Sequence, residues 1–146
     1  MNVVNRLISE SIQLDVAAAR VFDVLADPRQ HSVLDGSGTV RAAIEAPQRL
    51  FLGARFRMSM QLGIPYKITN QVVEFSEGSR IAWKHWGGHI WRYEVVAQDS
   101  DRCMVTESFD YAGARSPWLL EFIGAPERNR RAMKATLVNL QLHFSL

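Results

Sequence analysis

The chain has 146 residues, 47% hydrophobic and 22% charged, with 17 Lys and Arg against 15 Asp and Glu. Those proportions belong to an ordinary globular chain and exclude disorder, collagen-like repeats and a disulfide scaffold. A net charge of +2 argues against a nucleic-acid-binding surface, and the length predicts one domain over residues 1–146 whose core needs no metal or disulfide staple.

Met1-Asn2-Val3-Val4-Asn5-Arg6 has no apolar run of signal-peptide length. No later stretch approaches the roughly 20 apolar residues that span a bilayer. A soluble cytoplasmic protein without stable membrane insertion is expected. Leu7 to Leu14 predicts a first strand, and Asp15 reads as the N-cap of a short helix through Val16–Ala26, with Val21, Phe22 and Leu25 as its apolar stripe. Asp27-Pro28 stops that helix and caps a second, Pro28–Val33. Asp35-Gly36-Ser37-Gly38 is then a loop whose glycines suit positive backbone dihedrals before a strand; it is too short for a phosphate-binding fingerprint, and no helix follows it.

From Thr39 the period becomes two. Val40, Ala42 and Ile44 form one face, as do Phe56, Met58, Met60 and Leu62. The turn signals Gly63-Ile64-Pro65, Glu77-Gly78-Ser79, Gly87-Gly88 and Asp99-Ser100-Asp101 then punctuate Tyr66–Ser76, Arg80–Trp86, His89–Ala97 and Cys103–Tyr111, the spacing of an antiparallel meander. In Tyr66–Ser76 the inward face stays open between Val73 with Phe75 and Ile68 with Val72. The single cysteine, Cys103, has no disulfide or zinc partner and reads as a small apolar residue at a strand start in a reducing compartment. After Tyr111 the period returns to 3.6. An apolar segment, Trp118–Ile123, precedes a helix from near Pro126 that carries Met133, Leu137, Leu140 and Phe144 on one stripe.

Register adds detail around Gly87-Gly88. A three-residue loop, Trp86-Gly87-Gly88, pairs Trp83 with Trp91 and Ile81 with Tyr93, and puts Arg80 beside Glu94 on the other side. This separates an apolar face from a charged one, which a two-residue loop does not. Carried across the next turn, the same face sets Val95 near Val105, Tyr93 near Glu107 and Trp91 near Phe109.

The inner face so defined is apolar yet holds His85, His89, Glu107, Tyr93 and Tyr111. Helical projection from Met133 places Arg128 and Arg131 outside, and Asn129, Arg130 and Thr136 at the borders of the buried stripe. A curved sheet facing one amphipathic helix, both edged with polar groups, describes a mostly apolar pocket with a few orienting groups. The candidate ligand contacts are Phe56, Met58, Met60, Trp83, His85, His89, Trp91, Tyr93, Glu107, Phe109, Tyr111, Arg130, Met133 and Leu137. Glu107, in an apolar setting, needs a partner or becomes neutral; Tyr93 and Arg130 are the expected partners. His85 and His89 face one another across the turn but lack a third ligand for a metal. Either of them, or Glu107, has the chemistry of a general acid or base. Arg130 suits an anionic head group; otherwise Arg128, Arg130, Arg131 and Lys134 form a solvated basic face. His31 is a helix-end contact or a residue of the pocket mouth. No Gly-x-Ser-x-Gly nucleophile motif or phosphate-binding loop occurs, and no cofactor is implied.

Val21-Phe22-Asp23-Val24-Leu25-Ala26-Asp27-Pro28, then His31 and Asp35-Gly36-Ser37-Gly38, then Ile81-Ala82-Trp83, Trp91-Arg92-Tyr93-Glu94 and the C-terminal helix follow one another along the chain. In these motifs and their order, from Ser11 to about Leu142, the chain resembles the START-like, or SRPBCC, superfamily, in its polyketide cyclase/dehydrase and lipid-transport branch. The resemblance implies the α+β helix-grip fold: a curved seven-stranded antiparallel sheet around a long C-terminal helix, with two short helices between strands 1 and 2. The space between sheet and helix would take a hydrophobic or amphipathic small molecule, lipid, sterol or polyketide-like. Carriage of such a ligand is the first functional expectation, and a cyclase- or dehydratase-like enzyme using a pocket His or Glu is the alternative. A third is a protein-partner module using Trp86 and Ile90 or the basic helix face; the same apolar pair would support a homodimer.

Overall fold

Strand β1 (Leu7–Leu14) buries Ile8 and Leu14. In the computed structural model, which describes residues 5–145 apart from the side chain of Ile44, it opens the fold; the readings made on Met1–Val4 and on the Ile44 side chain lie outside the described residues. Helix α1 (Ala18–Leu25) buries Val21, Phe22 and Leu25 as its stripe predicts, but its N-cap is Ala17 rather than Asp15. Leu14 is still paired with Cys103 and Val16 is buried, so the chain must turn before the helix can begin. The expected second helix is a 3-10 turn (Pro28–Gln30) followed by α2 (His31–Leu34). Asp27 caps the turn, accepting from the Arg29 N–H at 3.0 Å.

Strands β2 (Val40–Glu45), β3 (Arg55–Leu62), β4 (Ile64–Ser76), β5 (Arg80–Lys84), β6 (Ile90–Asp99) and β7 (Arg102–Asp110) follow, then α3 (Pro117–Phe122) and α4 (Ala125–His143). The seven strands form one antiparallel sheet in the order β1-β7-β6-β5-β4-β3-β2. Around the β5–β6 turn the register is the one expected: Arg80 opposes Glu94, Ile81 Tyr93 and Trp83 Trp91. In β7, Phe109, Glu107 and Val105 oppose Trp91, Tyr93 and Val95.

Bulges in β2 and β4 alter the alternation. In β2, Val40 pairs with Met60 but Ala42 with Ser59, so Arg41 is an extra residue. The expected Val40–Ala42–Ile44 face is therefore broken: Ala42 is exposed, while Val40 and Ala43 pack on the core. In β4, Val72 pairs with Trp83 and Glu74 with Ala82. The extra residue, Val73, settles the open choice, because Val72 and Phe75 can both turn inward across it, in phase with Ile68 and Asn70. Leu62, at the end of β3, is exposed although Phe56, Met58 and Met60 of its face are buried.

Helix α4 lies against β1 and β7. Its Leu137 and Leu140 join Phe22, Val95, Val105 and Cys103 in the main core, while Met133 joins Ile8, Phe109 and Tyr111 in a smaller cluster. The loop after α2 touches α4 at Gly36, whose N–H donates to Thr136 Oγ1 at 2.9 Å. A Cβ there would lie 2.5 Å from the Ala132 carbonyl oxygen, so close approach, rather than a positive φ, requires this glycine; Gly38, at φ +76°, is the one that takes the left-handed conformation. Among the described residues, no helix is long and apolar enough to cross a membrane, and no group of three His, Cys, Asp or Glu could hold a metal ion.

Candidate functional site

Between the inner face of the sheet and α4 lies a cavity of about 710 Å³. The apolar part of its wall follows from the pleat: alternate residues of β3 (Met58, Met60), β5 (Trp83), β6 (Trp91, Tyr93) and β7 (Glu107, Phe109) face the same way. Met133 and Thr136 of α4 supply the opposite wall, with Leu34 of α2 and the loop at 35–39 closing one side. Aromatic rings organise the sheet side. Trp91 lies 4.8 Å from Phe109, and His31 stacks on Trp83 at 4.6 Å with its Nε2 3.0 Å from the Leu25 carbonyl oxygen. His31 is thus both a helix-end contact and a wall residue, and burial pushes its pKa down.

The polar centre of the wall is Glu107. Tyr93 donates its hydroxyl proton to Glu107 Oε2 at 2.9 Å, the first of the two partners expected; Oε1 is buried without a partner among the described residues. An ionised carboxylate in that position would be costly. Burial, reinforced by the Asp35 charge and only partly offset by the Tyr93 hydrogen bond, pushes the Glu107 pKa up to about 8. The group is therefore a neutral carboxyl near pH 7, and burial together with Glu107 holds the Tyr93 phenol well above its ordinary value. Asp35 is occupied by its own loop, accepting from Ser37 Oγ at 2.7 Å and from the Val40 N–H at 3.1 Å.

His85 and His89 meet edge to face at 4.5 Å beside the turn. His85 Nδ1 accepts from the Gly87 N–H at 3.1 Å, which leaves Nε2 to carry the ring proton. Burial lowers both pKa values, and the neighbouring His85 helps push His89 to about 4. Both rings are neutral at pH 7 and both line the cavity.

Ten of the fourteen candidate contacts thus form cavity wall, and four do not. Phe56 sits behind the wall, edge-on to His31 and Trp83. Tyr111 stacks on Phe109 and donates to Glu121 Oε2 at 3.0 Å. Leu137 is in the core beyond the cavity. Arg130 turns away from Glu107 to pair with Glu10 of β1 at 2.9 Å. Its neighbours Arg128 and Arg131 are exposed, as the helical projection expects, and also border the cavity with Asn129 and Thr136. Sequence reasoning missed Lys67, Asn70 and Asp35, all on the wall. Asn70 was reachable: once Val73 is recognised as a bulge, Ile68, Asn70 and Val72 fall on one face.

The likenesses to known proteins agree with this architecture. The uncharacterized protein Rv0088 of Mycobacterium tuberculosis is 40% identical over 143 residues, covering 94% of this chain and 64% of that one. The chain thus spans slightly under two thirds of the length of that curated relative. In fold it is similar to protein CV1439 of Chromobacterium violaceum, with a TM-score of 0.72 at 18% identity over 93% of this chain and 95% of the other. It is likewise similar to the di-domain ARO/CYC BexL from the BE-7585A biosynthetic pathway, with a TM-score of 0.66 at 16% identity over 97% of this chain and 48% of that one. Residues 6–144 match the family described as polyketide cyclase / dehydrase and lipid transport, and with its seven-stranded sheet gripping a C-terminal helix the chain belongs to that family.

Proposed function

We propose that residues 1–146 form a single cytoplasmic ligand-binding domain that sequesters a hydrophobic or amphipathic small molecule, lipid, sterol or polyketide-like, between sheet and α4. The observation that carries this reading is the cavity itself: about 710 Å³ left open beneath a wall of Met58, Met60, Trp83, Trp91, Phe109 and Met133. Desolvation of the ligand supplies most of the affinity, at about 25 cal/mol per Å² of apolar surface buried, less the cost of immobilisation. Tyr93, Glu107, His85 and His89 orient its polar groups. Native mass spectrometry of freshly purified protein tests the proposal. The expected spectrum shows an added small-molecule mass that is lost on denaturation; a bare chain that also takes up nothing from a panel of lipids, sterols and aromatic polyketides overturns it.

A cyclase- or dehydratase-like enzyme is the second reading, favoured by one observation: a carboxyl held neutral at physiological pH stands in the wall with two neutral imidazoles. Such a set can give and take protons at a bound substrate. Turnover of a polyketide-like substrate, abolished in folded Glu107→Gln, would select this reading; retention of an unchanged ligand would select carriage.

A further inference from the structure

The rim of the cavity is apolar toward solvent. In α3 and the residue that follows it, Trp118, Leu119, Phe122 and Ile123 are 65, 44, 85 and 51% exposed, while Leu120 of the same helix lies on the cavity wall. Trp86, at the tip of the β5–β6 turn, is 74% exposed and also borders the cavity. Arg115 joins these two parts: its N–H donates to the Gly87 carbonyl at 3.0 Å, and its guanidinium lies 5.8 Å from the centre of the Trp86 ring. Single exposed apolar residues need no explanation, but four within six positions on an element that lines a cavity do.

Charge distinguishes the partner. Lys67, Arg128 and Arg131 line the same cavity, and neither they nor Arg115 form an ion pair among the described residues. The nearby carboxylates are engaged: Glu121 with Arg6 and Tyr111, Glu127 with Arg130, and Asp35 with its own loop. A second copy of the chain packed on this rim through a two-fold axis would bring the same cations against one another. An anionic bilayer surface neutralises them and takes the tryptophans at headgroup level, where their amphipathic rings are favoured.

We propose that the rim formed by α3, the β5–β6 turn and the start of α4 docks reversibly on anionic lipid bilayers and sets the cavity mouth against the membrane. The six residues of α3 extend about 9 Å along the helix axis, enough to lie in the interface and far too short to span it. Docking does not depend on the ligand reading.

The test is co-sedimentation of the full chain with vesicles of phosphatidylcholine alone and of phosphatidylcholine mixed with phosphatidylglycerol. Binding is expected for the mixed vesicles and is weakened by salt. Trp118→Ser with Phe122→Ser should abolish it; both side chains are exposed, and circular dichroism verifies the fold. Removing two cations, in Arg128→Gln with Arg131→Gln, should weaken partitioning about thirtyfold. The proposal is overturned by no sedimentation with either vesicle, by equal binding to both, or by binding that the substitutions leave intact. Self-association in sedimentation velocity that vanishes in the Trp118/Phe122 variant, without vesicle binding, would assign the rim to a second copy instead.

Discussion

Tyr93 and Glu107 sit directly opposite one another on β6 and β7, and the phenol donates to the carboxyl at 2.9 Å within the cavity wall. Their cross-strand pairing fixes the contact: side chains opposed in register share a face, and here that face is turned from water. The carboxyl is consequently a neutral donor-acceptor group near pH 7 instead of a charge.

Stability should therefore fall as pH rises. An unfolded Glu107 ionises near 4.5 and the folded one near 8, so across that interval the native state holds a proton that the unfolded state has released. The contribution is complete below about pH 4.5, declines on the way up and is gone above about pH 8, a swing of up to about 5 kcal/mol. Urea melts of wild type and Glu107→Gln across this range should give a difference that grows in favour of the variant as pH rises. Parallel curves would show that Glu107 is ionised in the native state.

His89 acts in the opposite direction. Its folded pKa near 4, against 6.5 unfolded, means the native ring stays neutral while the unfolded one gains a proton. Its contribution is complete above about pH 6.5 and is lost as pH falls toward 4. His85, lowered by burial, adds to the same acid limb. Ring-proton NMR titration should find the His89 midpoint well below that of an exposed histidine, and His89→Gln should flatten the loss of stability between those pH values; a midpoint near 6.5 contradicts the burial.

Gly36→Ala should destabilise the fold by about 1–3 kcal/mol, the usual cost of overpacking. The new Cβ would meet Ala132 O, Ala135 Cβ and Thr136 N, all at 2.7 Å or less, and most of these are backbone atoms that cannot swing aside. The bond from Gly36 N to Thr136 Oγ1 would also be lengthened. Thermal unfolding measures the loss. An unchanged Tm would mean that the loop and α4 do not touch as described.

The parts of this architecture that could be read from the sequence are those where one residue constrains another. The β5–β6–β7 register followed from requiring apolar partners to share a face, and it brought Tyr93 to Glu107 and His85 to His89. The bulges at Arg41 and Val73 carry no comparable local signal, because each inserts one residue whose cost is met by contacts with strands elsewhere. The basic turn of α4 was legible in part: Arg128 and Arg131 are exposed as expected, and only Arg130 departs from its expected place. A helical projection assumes one buried side, but near its N-terminus α4 has β1 on one flank and the cavity on another, so Arg130 reaches Glu10, 120 positions away, while Arg128 and Arg131 border the cavity. Asp15 is not the cap although the end of β1 was read correctly: Val16 is buried, and the helix begins only at Ala18.

Uptake of an apolar fluorophore tests the open hollow between sheet and helix most directly. Trp83 and Trp91 line it, so saturable binding of one probe per chain should quench their emission, and Asn129→Trp, which places an indole in part of the same space, should weaken probe binding while leaving the circular dichroism spectrum native. A folded wild-type chain that takes up no probe, or a narrowed variant that binds it as well as wild type does, would contradict the account.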